Sequence, residues 1–503
     1  MPLDQSQTPL VDSLYACATR SNAAFYTPGH KRGQGISDRH RQLFGSAVFR
    51  ADLPELPELD NLFAPEGVIL EAQALAAQAF GAEQTCFLAN GSTCGVQAAI
   101  LATCGPGDKL ILPRNMHSSA IAGLILSGAM PIYVQPEYSA EWDMPMQVAV
   151  SAIETALSAH PDAKAVLVVS PTYQGICSDL AAIARLAHLR NIPLIVDEAH
   201  GPHFAFHPQL PPPAMSVKAD IAVQSAHKVL SAFTQSAMLH MQGDRVDRYR
   251  LSQCLQLTQS TSPSYLLLGS LDAARHQMAN EGKALMSQTI ALADLACAEL
   301  RKLPGLRIMQ PQKGDRTRLS VNVSGLGLTG FEADEILNEQ FSVTAELPTL
   351  QNLTFIISLG NNEADIQQLI AGFKSLCALK NAAHQPTAPR LQSSLQSSLQ
   401  SSLQPPIHLS ADSSLFADPS LSADPSLSPR QIFYASTRTV PTALSHGHIC
   451  AEAICPYPPG IPTLLPGEVI TKEAIAYLSG LLAQGATLTG CQDRTLQTIV
   501  ISD

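Results

Sequence analysis

The chain has 503 residues, of which 46% are hydrophobic and 15% charged, and its formal net charge is −11. This length and composition predict a packed globular protein of two or three domains. The acidic excess argues against a nucleic acid or an anionic membrane surface as the main partner, although it is compatible with a cationic substrate.

The sequence also argues against a membrane span, a secretory route and a metal site. The stretch that begins at Met1 lacks the basic and apolar regions of a secretory signal, and no apolar run reaches the about 18 residues that a membrane-spanning helix needs. The 11 cysteines form no C-x-x-C pair. We therefore predict reduced thiols, a cytoplasmic location and no bound metal.

The N-terminal part of the chain is predicted to consist of a short helix, a loop and an arm. A helical pattern covers Leu10–Thr19, and Pro and Gly then mark a loop with three potential cations at Tyr26–Gly33. Two prolines in residues 52–62 exclude a regular helix there. This acidic segment is predicted to be an extended arm that could pack on a second subunit.

Between residues 84 and 241, apolar runs typical of strands alternate with helical patterns. The predicted strands are 85–88, 109–112, 131–134, 165–169, 194–196, 221–223 and 236–241, and the predicted helices are 96–103, 119–126, 150–158 and 180–189. The alternation predicts an α/β fold whose mostly parallel sheet is covered on both faces. In such a sheet, functional residues are expected at the carboxyl ends of the strands.

The remainder of the chain changes pattern several times. Residues 265–302 have a helical periodicity that predicts a connecting pair of helices, and a smaller α/β pattern follows. Repeats rich in Leu, Ser and Gln then predict a linker. The predicted divisions are an N-terminal arm (1–35), a large domain (36–302), a small α/β domain (303–382), the low-complexity linker (383–429) and a C-terminal domain (430–503).

Two ionisable residues, Asp197 and Lys228, each follow a buried strand of the predicted sheet. A lysine in this position loses water, so its neutral amine becomes available as a nucleophile toward an aldehyde. The aspartate can keep a pyridine nitrogen protonated. A pyridoxal phosphate (PLP) enzyme needs this arrangement, in which the lysine forms a Schiff base with the cofactor. The alternative is a buried lysine in an ion pair.

A candidate phosphate site accompanies these two residues. Ser92 and Thr93 lie in a glycine-containing turn that leads into a helix, where backbone amides and hydroxyls favour an anion. Ser225 and His227 flank Lys228 and would form the other side of the phosphate site. The turn alone is a weak signal, because many helices begin with Ser or Thr.

Two histidines are further candidates. His117 ends a strand segment, where it could stack on the pyridine ring or take part in proton transfer. His200 follows Asp197 by three residues and could hydrogen-bond that carboxylate or approach the ring. The alternative for His117 is a structural histidine in a loop, and we treat His203 and His207 as structural.

Several short stretches, taken in order, carry a resemblance to a known family. They are 27–33 (TPGHKRG), 88–93 (LANGST), 113–117 (PRNMH), 170–173 (SPTY), 196–201 (VDEAHG), 225–228 (SAHK), 260–265 (STSPSY), 323–330 (VSGLGLTG) and 456–462 (PYPPGIP). With these motifs the chain resembles the Orn/Lys/Arg decarboxylases, which are fold-type-I PLP enzymes. The resemblance covers nearly the whole chain outside the linker.

The resemblance implies a PLP-dependent transferase-like fold and the decarboxylation of a basic amino acid. It also implies a homodimer or a higher homo-oligomer with the active site at the subunit interface, to which the loop 262–265 would contribute a part of the neighbour's phosphate site. The roles implied are the Schiff-base lysine for Lys228, the pyridinium partner for Asp197, ring stacking for His117, a place beside the cofactor for His200, and phosphate binding for Ser92, Thr93, Ser225 and His227.

Two features depart from the family pattern. Ser118 stands where the family often has a basic residue, directly after the stacking histidine. The chain also starts almost at the catalytic module, whereas the large acid-inducible members carry a receiver-like domain before it. It therefore resembles the short, polyamine-supplying branch, and we expect arginine to be converted to agmatine in preference to decarboxylation of lysine or ornithine.

The distal cation of such a substrate should need an acidic partner. We rank Glu468 first and Glu346 second, followed by the arm residues Asp52, Glu55 and Asp60. Another PLP reaction, such as transamination, is an alternative, although no arginine around residues 340–380 matches the one that aminotransferases use for the substrate carboxylate. A non-catalytic homologue is a third, which the presence of both Asp197 and Lys228 argues against.

Overall fold

The computed structural model describes residues 2–309, 314–383, 427–457, 461–483 and 485–503. Most of the predicted linker 383–429 and residues 458–460 of the proline-rich motif therefore lie outside the described residues. The helices are α1 (Pro9–Thr19), α2 (Asp38–Ala51), α3 (Val68–Phe80), α4 (Gly91–Thr103), α5 (Ser118–Ser127), α6 (Val150–Ala159), α7 (Leu180–His188), α8 (Ala226–Val229), α9 (Arg248–Thr258), α10 (Tyr265–Leu300), α11 (Gly330–Phe341), α12 (Glu363–Ala383), α13 (Pro429–Phe433) and α14 (Lys472–Ala483).

Seventeen strands complete the described structure. They are β1 (Gln84–Leu88), β2 (Lys109–Pro113), β3 (Met130–Val134), β4 (Tyr138–Ser139), β5 (Met144–Pro145), β6 (Ala165–Val169), β7 (Leu194–Asp197), β8 (Ile221–Gln224), β9 (Ala237–Met241), β10 (Arg307–Met309), β11 (Arg318–Asn322), β12 (Leu347–Pro348), β13 (Asn352–Ile356), β14 (Thr437–Pro441), β15 (Cys455–Tyr457), β16 (Thr487–Thr489) and β17 (Thr498–Ser502).

A seven-stranded sheet in the order β1-β9-β8-β7-β6-β2-β3 is the centre of the fold. Strand β9 runs antiparallel to both of its neighbours, while the pairs from β8 to β3 are parallel. The prediction of a mostly parallel sheet is confirmed. Because parallel strands align their carboxyl ends, β6, β7 and β8 deliver the residues that follow them to one edge.

Helices cover both faces of this sheet because its side chains alternate between the faces. On β2, Leu110 and Leu112 pack in the apolar cluster that includes residues of α4, α5 and α9. The intervening Ile111 packs in the cluster that includes residues of α6 and α7. The strands are mostly apolar because both faces are buried.

A four-stranded antiparallel sheet, β10-β11-β13-β12, follows the central sheet and packs with α11 and α12. Helix α10 leads into it as one continuous 36-residue helix. The expectation of a helix pair at 265–302 is therefore wrong. The segment contains no proline, and its glycines 269 and 282 are places where the helix packs closely on Leu14 and Phe206 rather than breaks.

The C-terminal segment forms two small antiparallel sheets, β14-β17 and β15-β16, and is fastened to the large sheet. Arg114, directly after β2, donates from Nη2 to Glu468 Oε2 (2.6 Å) and to the carbonyl oxygen of Thr463 (3.0 Å). Arg430 Nη1 donates to the carbonyl oxygen of Leu126 at the end of α5 (3.0 Å). The domain boundaries proposed from the sequence stay predictions.

Helix α2 contrasts with the rest of the fold because none of its residues is buried. Leu43 and Phe44 are 74% and 53% exposed. Among the described residues, no helix is both long and apolar enough to cross a membrane.

Candidate active site at the carboxyl edge of the central sheet

Asp197 and Lys228 lie in one pocket, as the sequence predicts. Asp197 is the last residue of β7 and pairs with Val223 of the neighbouring parallel strand β8, which leads into the short helix that carries Lys228. Both side chains line a cavity that His117 and His200 also line. The parallel order of β7 and β8 is what brings together two residues that are distant in the sequence.

The amine of Lys228 is enclosed mainly by His200 and Tyr173. Its Nζ lies 2.9 Å from His200 Nε2 and 5.2 Å from the centre of the Tyr173 ring. Burial lowers the pKa of Lys228, with a further lowering from Arg318, while Asp197 and Glu346 act in the opposite direction. The net lowering favours the neutral, nucleophilic amine.

Arg318 determines the hydrogen-bonding state of His200. Its Nη2 donates to the carbonyl oxygen of His200 (3.2 Å) and lies 3.4 Å from His200 Nδ1. Because a guanidinium can only donate, Nδ1 must be the acceptor, and a neutral imidazole then carries its proton on Nε2. Burial, Lys228 and Arg318 lower the pKa of His200 well below its usual range, so the ring is neutral. The Nε2 proton is therefore directed at Lys228 Nζ, whose neutral form can accept it.

Arg318 is itself fully enclosed, at the start of β11. Asp315 lies 3.9 Å from Arg318 Nη1 and 3.1 Å from His203 Nε2. Asp315 also accepts from the hydroxyl of Thr317 at 2.6 Å. His203, taken from the sequence as structural, thus belongs to a buried polar group behind His200.

His117 is the N-cap residue of α5, where its Nδ1 accepts from the backbone N–H of Ser119 (3.2 Å). Burial lowers the pKa of His117, Asp197 opposes this lowering, and Lys228 adds to it. The cap fixes the plane of the ring, and the cavity that it lines contains both Asp197 and Lys228. This placement is what ring stacking requires.

The predicted phosphate-binding residues also meet. Ser92, Thr93, Ser225, His227 and Lys228 all line a second cavity. The hydroxyl of Ser225 donates to that of Ser92 at 2.8 Å and so joins α4 to the end of β8. Helix α4 begins without a side-chain cap among the described residues, which leaves the N–H groups of its first turn to bind an anion.

The donors and acceptors of the two cavities fit PLP. The cavity with Asp197 also contains Asn115, whose buried Oδ1 has no hydrogen-bond partner among the described residues. An unsatisfied acceptor, a carboxylate and a stacking ring suit a protonated heterocycle with polar substituents. The hydroxyls and helix N-terminus of the other cavity suit its phosphate. Groups of three or more metal-ligating side chains are absent from the described part of the chain.

The structure separates the acidic candidates for the substrate cation. Glu468, ranked first, is buried against Arg114 and accepts from the backbone N–H of Leu465 (2.9 Å), and neither cavity around Lys228 includes it. Glu346 is exposed and likewise lines neither of these cavities, but its charge acts on both Lys228 and Arg318.

The three arm carboxylates are engaged locally. Asp52 lies 3.1 Å from His30 Nε2, and Glu55 accepts from the Asn61 side-chain amide at 3.0 Å. Asp60 accepts from backbone N–H groups at the start of α3, including that of Gly67 at 2.8 Å. These contacts give each of them a structural role and leave Glu346 as the strongest of the acidic candidates.

Replacing Arg318 by methionine should shift the acidic limb of the kcat/KM profile toward higher pH. The guanidinium lowers the pKa of His200, so its loss raises that pKa and protonation inactivates His200 at a higher pH. We also expect activity to fall about tenfold or more at neutral pH, since a buried charged hydrogen bond is lost. The measurement is a pH–rate profile of both proteins.

Arg316→Met is the matched control, because Arg316 pairs with Asp294 near the surface at 2.6 Å. It should leave the profile in place. Equal profiles for Arg318→Met and the unaltered protein would contradict the tautomer argument.

Comparison with known proteins gives consistent matches. The sequence model for the major domain of Orn/Lys/Arg decarboxylases matches residues 8–320, and the model for their C-terminal domain matches residues 411–495. The chain is 37% identical to the arginine decarboxylase of Bacillus subtilis (strain 168) over 99% of this chain and 98% of that protein. It is 23% identical to the constitutive lysine decarboxylase of Escherichia coli (strain K12), over 95% of this chain and 78% of that protein.

A solved structure has the same fold. Lysine decarboxylase A from Pseudomonas aeruginosa superposes with a TM-score of 0.83 at 22% identity, over 99% of this chain and 81% of that chain.

Proposed function

We propose that this chain, which belongs to the Orn/Lys/Arg decarboxylase family, removes the α-carboxylate of arginine as CO2 and releases agmatine, with PLP as its cofactor. The observation that carries the proposal is the shared pocket of Asp197 and Lys228. The choice of arginine is supported by the 37% identity to an arginine decarboxylase, against 23% to a lysine decarboxylase.

When bound, PLP supplies an electron-withdrawing ring that stabilises the charge left at Cα when the carboxylate departs. The residues of this chain bind and orient the reacting groups. Lys228 would provide the amine for attachment, and the buried carboxylate of Asp197 would favour a proton at the ring nitrogen. His117 would hold the ring by stacking.

The phosphate is held at the other end of the site. The first-turn N–H groups of α4, with Ser92 and Thr93, bind it from one side, and Ser225 and His227 bind it from the other. Burial lowers the pKa of His227, and its Nδ1 donates to the carbonyl oxygen of Ser236 at 3.0 Å. The two cavities meet at Lys228, which lines both.

His200 places a proton beside the Lys228 amine. Its Nε2 lies 2.9 Å from Nζ, and Arg318 keeps Nδ1 as an acceptor. The neutral imidazole can therefore donate a hydrogen bond from Nε2 to the Lys228 amine and orient that amine beside the reaction centre. The ring of Tyr173, whose centroid lies 4.2 Å from that of His200, packs against the imidazole.

Amine product analysis tests the proposal. We expect agmatine to dominate over cadaverine and putrescine when arginine, lysine and ornithine are offered together at equal concentration. Release of CO2 should match the amine formed, whereas formation of a keto acid would indicate transamination. A dominant product other than agmatine would overturn the choice of arginine.

Glu346→Gln should raise KM for arginine with little change in kcat. Glu346 is the acidic candidate whose charge acts at the site, and an ion pair with a distal guanidinium binds the ground state and the transition state alike. We expect an increase of about two- to fivefold, the value of one exposed ion pair. Steady-state kinetics with arginine give the result.

Glu468→Gln is the comparison, because it removes a buried carboxylate that is paired with Arg114. It should lower thermal stability more than it raises KM. If Glu468→Gln raised KM and Glu346→Gln did not, the original ranking of the two residues would stand.

We further propose that the protein acts in the cytoplasm as a homodimer or higher homo-oligomer with a shared active site, and that its agmatine supplies polyamine synthesis. The exposed apolar residues of α2 support an association between subunits, since large exposed apolar side chains favour burial. Light scattering and sedimentation of the purified protein measure the association.

A further inference from the structure

A buried chain of hydrogen bonds crosses the central sheet beside the pocket. Thr85 Oγ1 lies 2.7 Å from His240 Nδ1, and His240 Nε2 lies 3.0 Å from Gln224 Oε1. Gln224 Nε2 then donates to Glu198 Oε2 at 2.7 Å. All four side chains are at most 2% exposed. The proposed chemistry uses none of them.

The position of the chain follows from the alternation of side chains along a strand. Glu198 comes directly after Asp197, and Gln224 comes directly before Ser225. Asp197 and Ser225 line the cavities around Lys228, whereas neither cavity includes Glu198 or Gln224. Asp197 and Ser225 are thus each adjacent in the sequence to a member of the buried hydrogen-bond network.

Glu198 links three segments. Its Oε2 accepts from Gln224 at the end of β8, and its Oε1 accepts from the backbone N–H of Ala214 in the crossover between β7 and β8 (2.8 Å). Its own N–H donates to the carbonyl oxygen of Val223 (2.9 Å) and extends the β7–β8 ladder by one step. One side chain therefore fixes the ends of both strands that carry the cofactor residues.

Burial disfavours the charged forms of Glu198 and His240. Burial raises the pKa of Glu198 to about 8 and lowers the pKa of His240 to about 3. The Gln224 amide can join the Glu198 carboxyl group to a neutral imidazole, because it offers both a donor and an acceptor. Satisfied buried networks of this kind specify a single arrangement of the backbone.

We propose that Glu198 is a positioning residue for PLP, acting through Gln224 to hold the ends of β7 and β8 so that Asp197 and Lys228 face one pocket. The inference rests on the proposed function, because the pocket concerned is the proposed PLP site. If the proposal is right, a change at Glu198 alters the affinity for PLP. A residue that only stabilises the fold would not produce this effect.

The test compares Glu198→Leu with Glu198→Gln by titrating each apoprotein with PLP and recording the visible absorbance of the bound cofactor. Leucine leaves the Ala214 N–H and the Gln224 amide without partners, so we expect the Kd for PLP to rise about tenfold or more. Glutamine can accept from Ala214, and its NH2 can donate to Gln224 once the Gln224 amide turns over to present Oε1. His240 then accepts at Nε2 and donates from Nδ1 to Thr85. Glutamine should therefore restore the Kd to within about threefold of the original value. The absorbance of bound PLP should be low in Glu198→Leu and close to the original in Glu198→Gln.

Asp220→Asn is the matched control. Asp220 accepts from the backbone N–H of Leu194 (2.8 Å) and lies 2.9 Å from His188 Nε2, so it joins β7 and β8 at their amino ends, away from the pocket. This variant should lose thermal stability and keep its Kd for PLP. If Asp220→Asn weakened PLP binding as much as Glu198→Leu, the link at the carboxyl ends would have no special role.

A second pair of variants decides the matter if Glu198→Leu does not fold. Gln224→Glu places two carboxyl groups together in a buried site, and the double variant Glu198→Gln with Gln224→Glu restores an amide–carboxyl pair in the reverse order. Rescue of PLP binding by the double variant supports the proposal, and equal defects in both variants overturn it. Failure of the unaltered protein to bind PLP would instead overturn the proposed function.

Discussion

Lys228→Ala should remove nearly all turnover, with a fall of about 10⁴-fold or more in kcat, because the only amine in the described pocket that can attach the cofactor is lost. The residues of the phosphate cavity other than Lys228 remain, so PLP should still bind, although without its covalent link. Borohydride treatment followed by mass spectrometry measures the link directly. The unaltered protein should retain PLP on the peptide that contains residue 228, and the variant should retain none.

Lys164→Ala is the control for this prediction. Lys164 is exposed beside the amino end of β6, at the opposite edge of the sheet from the pocket. The Lys164→Ala protein should still yield the borohydride-reduced PLP adduct and should turn over substrate at the original rate. Substantial activity in Lys228→Ala, or trapping on another lysine, would show that Lys228 is not the attachment point.

Asp197→Asn should lower kcat by about 10²- to 10³-fold, as expected when one preorganised electrostatic partner is removed from an enclosed site. Asparagine has the same shape and can still accept from the backbone N–H of Ala199, which now lies 3.2 Å from Asp197 Oδ1. The geometry of the pocket should therefore survive, while the charge that holds a proton on the ring nitrogen is lost. Single-turnover kinetics separate this effect from weaker binding.

Asp179→Asn provides the comparison for this second prediction. The Asp179 side chain caps α7 by accepting from the backbone N–H of Ala182 (3.0 Å), a role that asparagine also performs. Its kcat should not change. An Asp197→Asn protein with more than about a tenth of the original kcat would mean that the ring does not depend on a buried anion at this position.

The sequence predicts the position of Asp197 and Lys228 because each follows an apolar strand, and parallel strands end at one edge. For the same reason, it predicts that Ser92 and Ser225 lie on two sides of one phosphate site. The hydrogen bond between their hydroxyls agrees with this prediction. These predictions need only local patterns and one rule of topology.

Arg318 and Tyr173 could not be found in this way. Arg318 reaches His200 from the second sheet, and no local pattern reports that contact. Tyr173 lies in the SPTY motif that contributes to the resemblance, so a signal existed, but periodicity gives no direction to a loop side chain. No local pattern shows that Arg114 is the partner of Glu468.

The attachment of residues 462–468 to Arg114 bears on how the polypeptide can be divided. The last part of the chain supplies Ile461 to the cavity that contains Asp197, and Ala453 to the cavity of the predicted phosphate-binding residues. Two separately translated pieces, 1–383 and 427–503, should therefore complement each other in one cell. The longer piece alone, although it carries Lys228, would lack these two lining residues of the cavities.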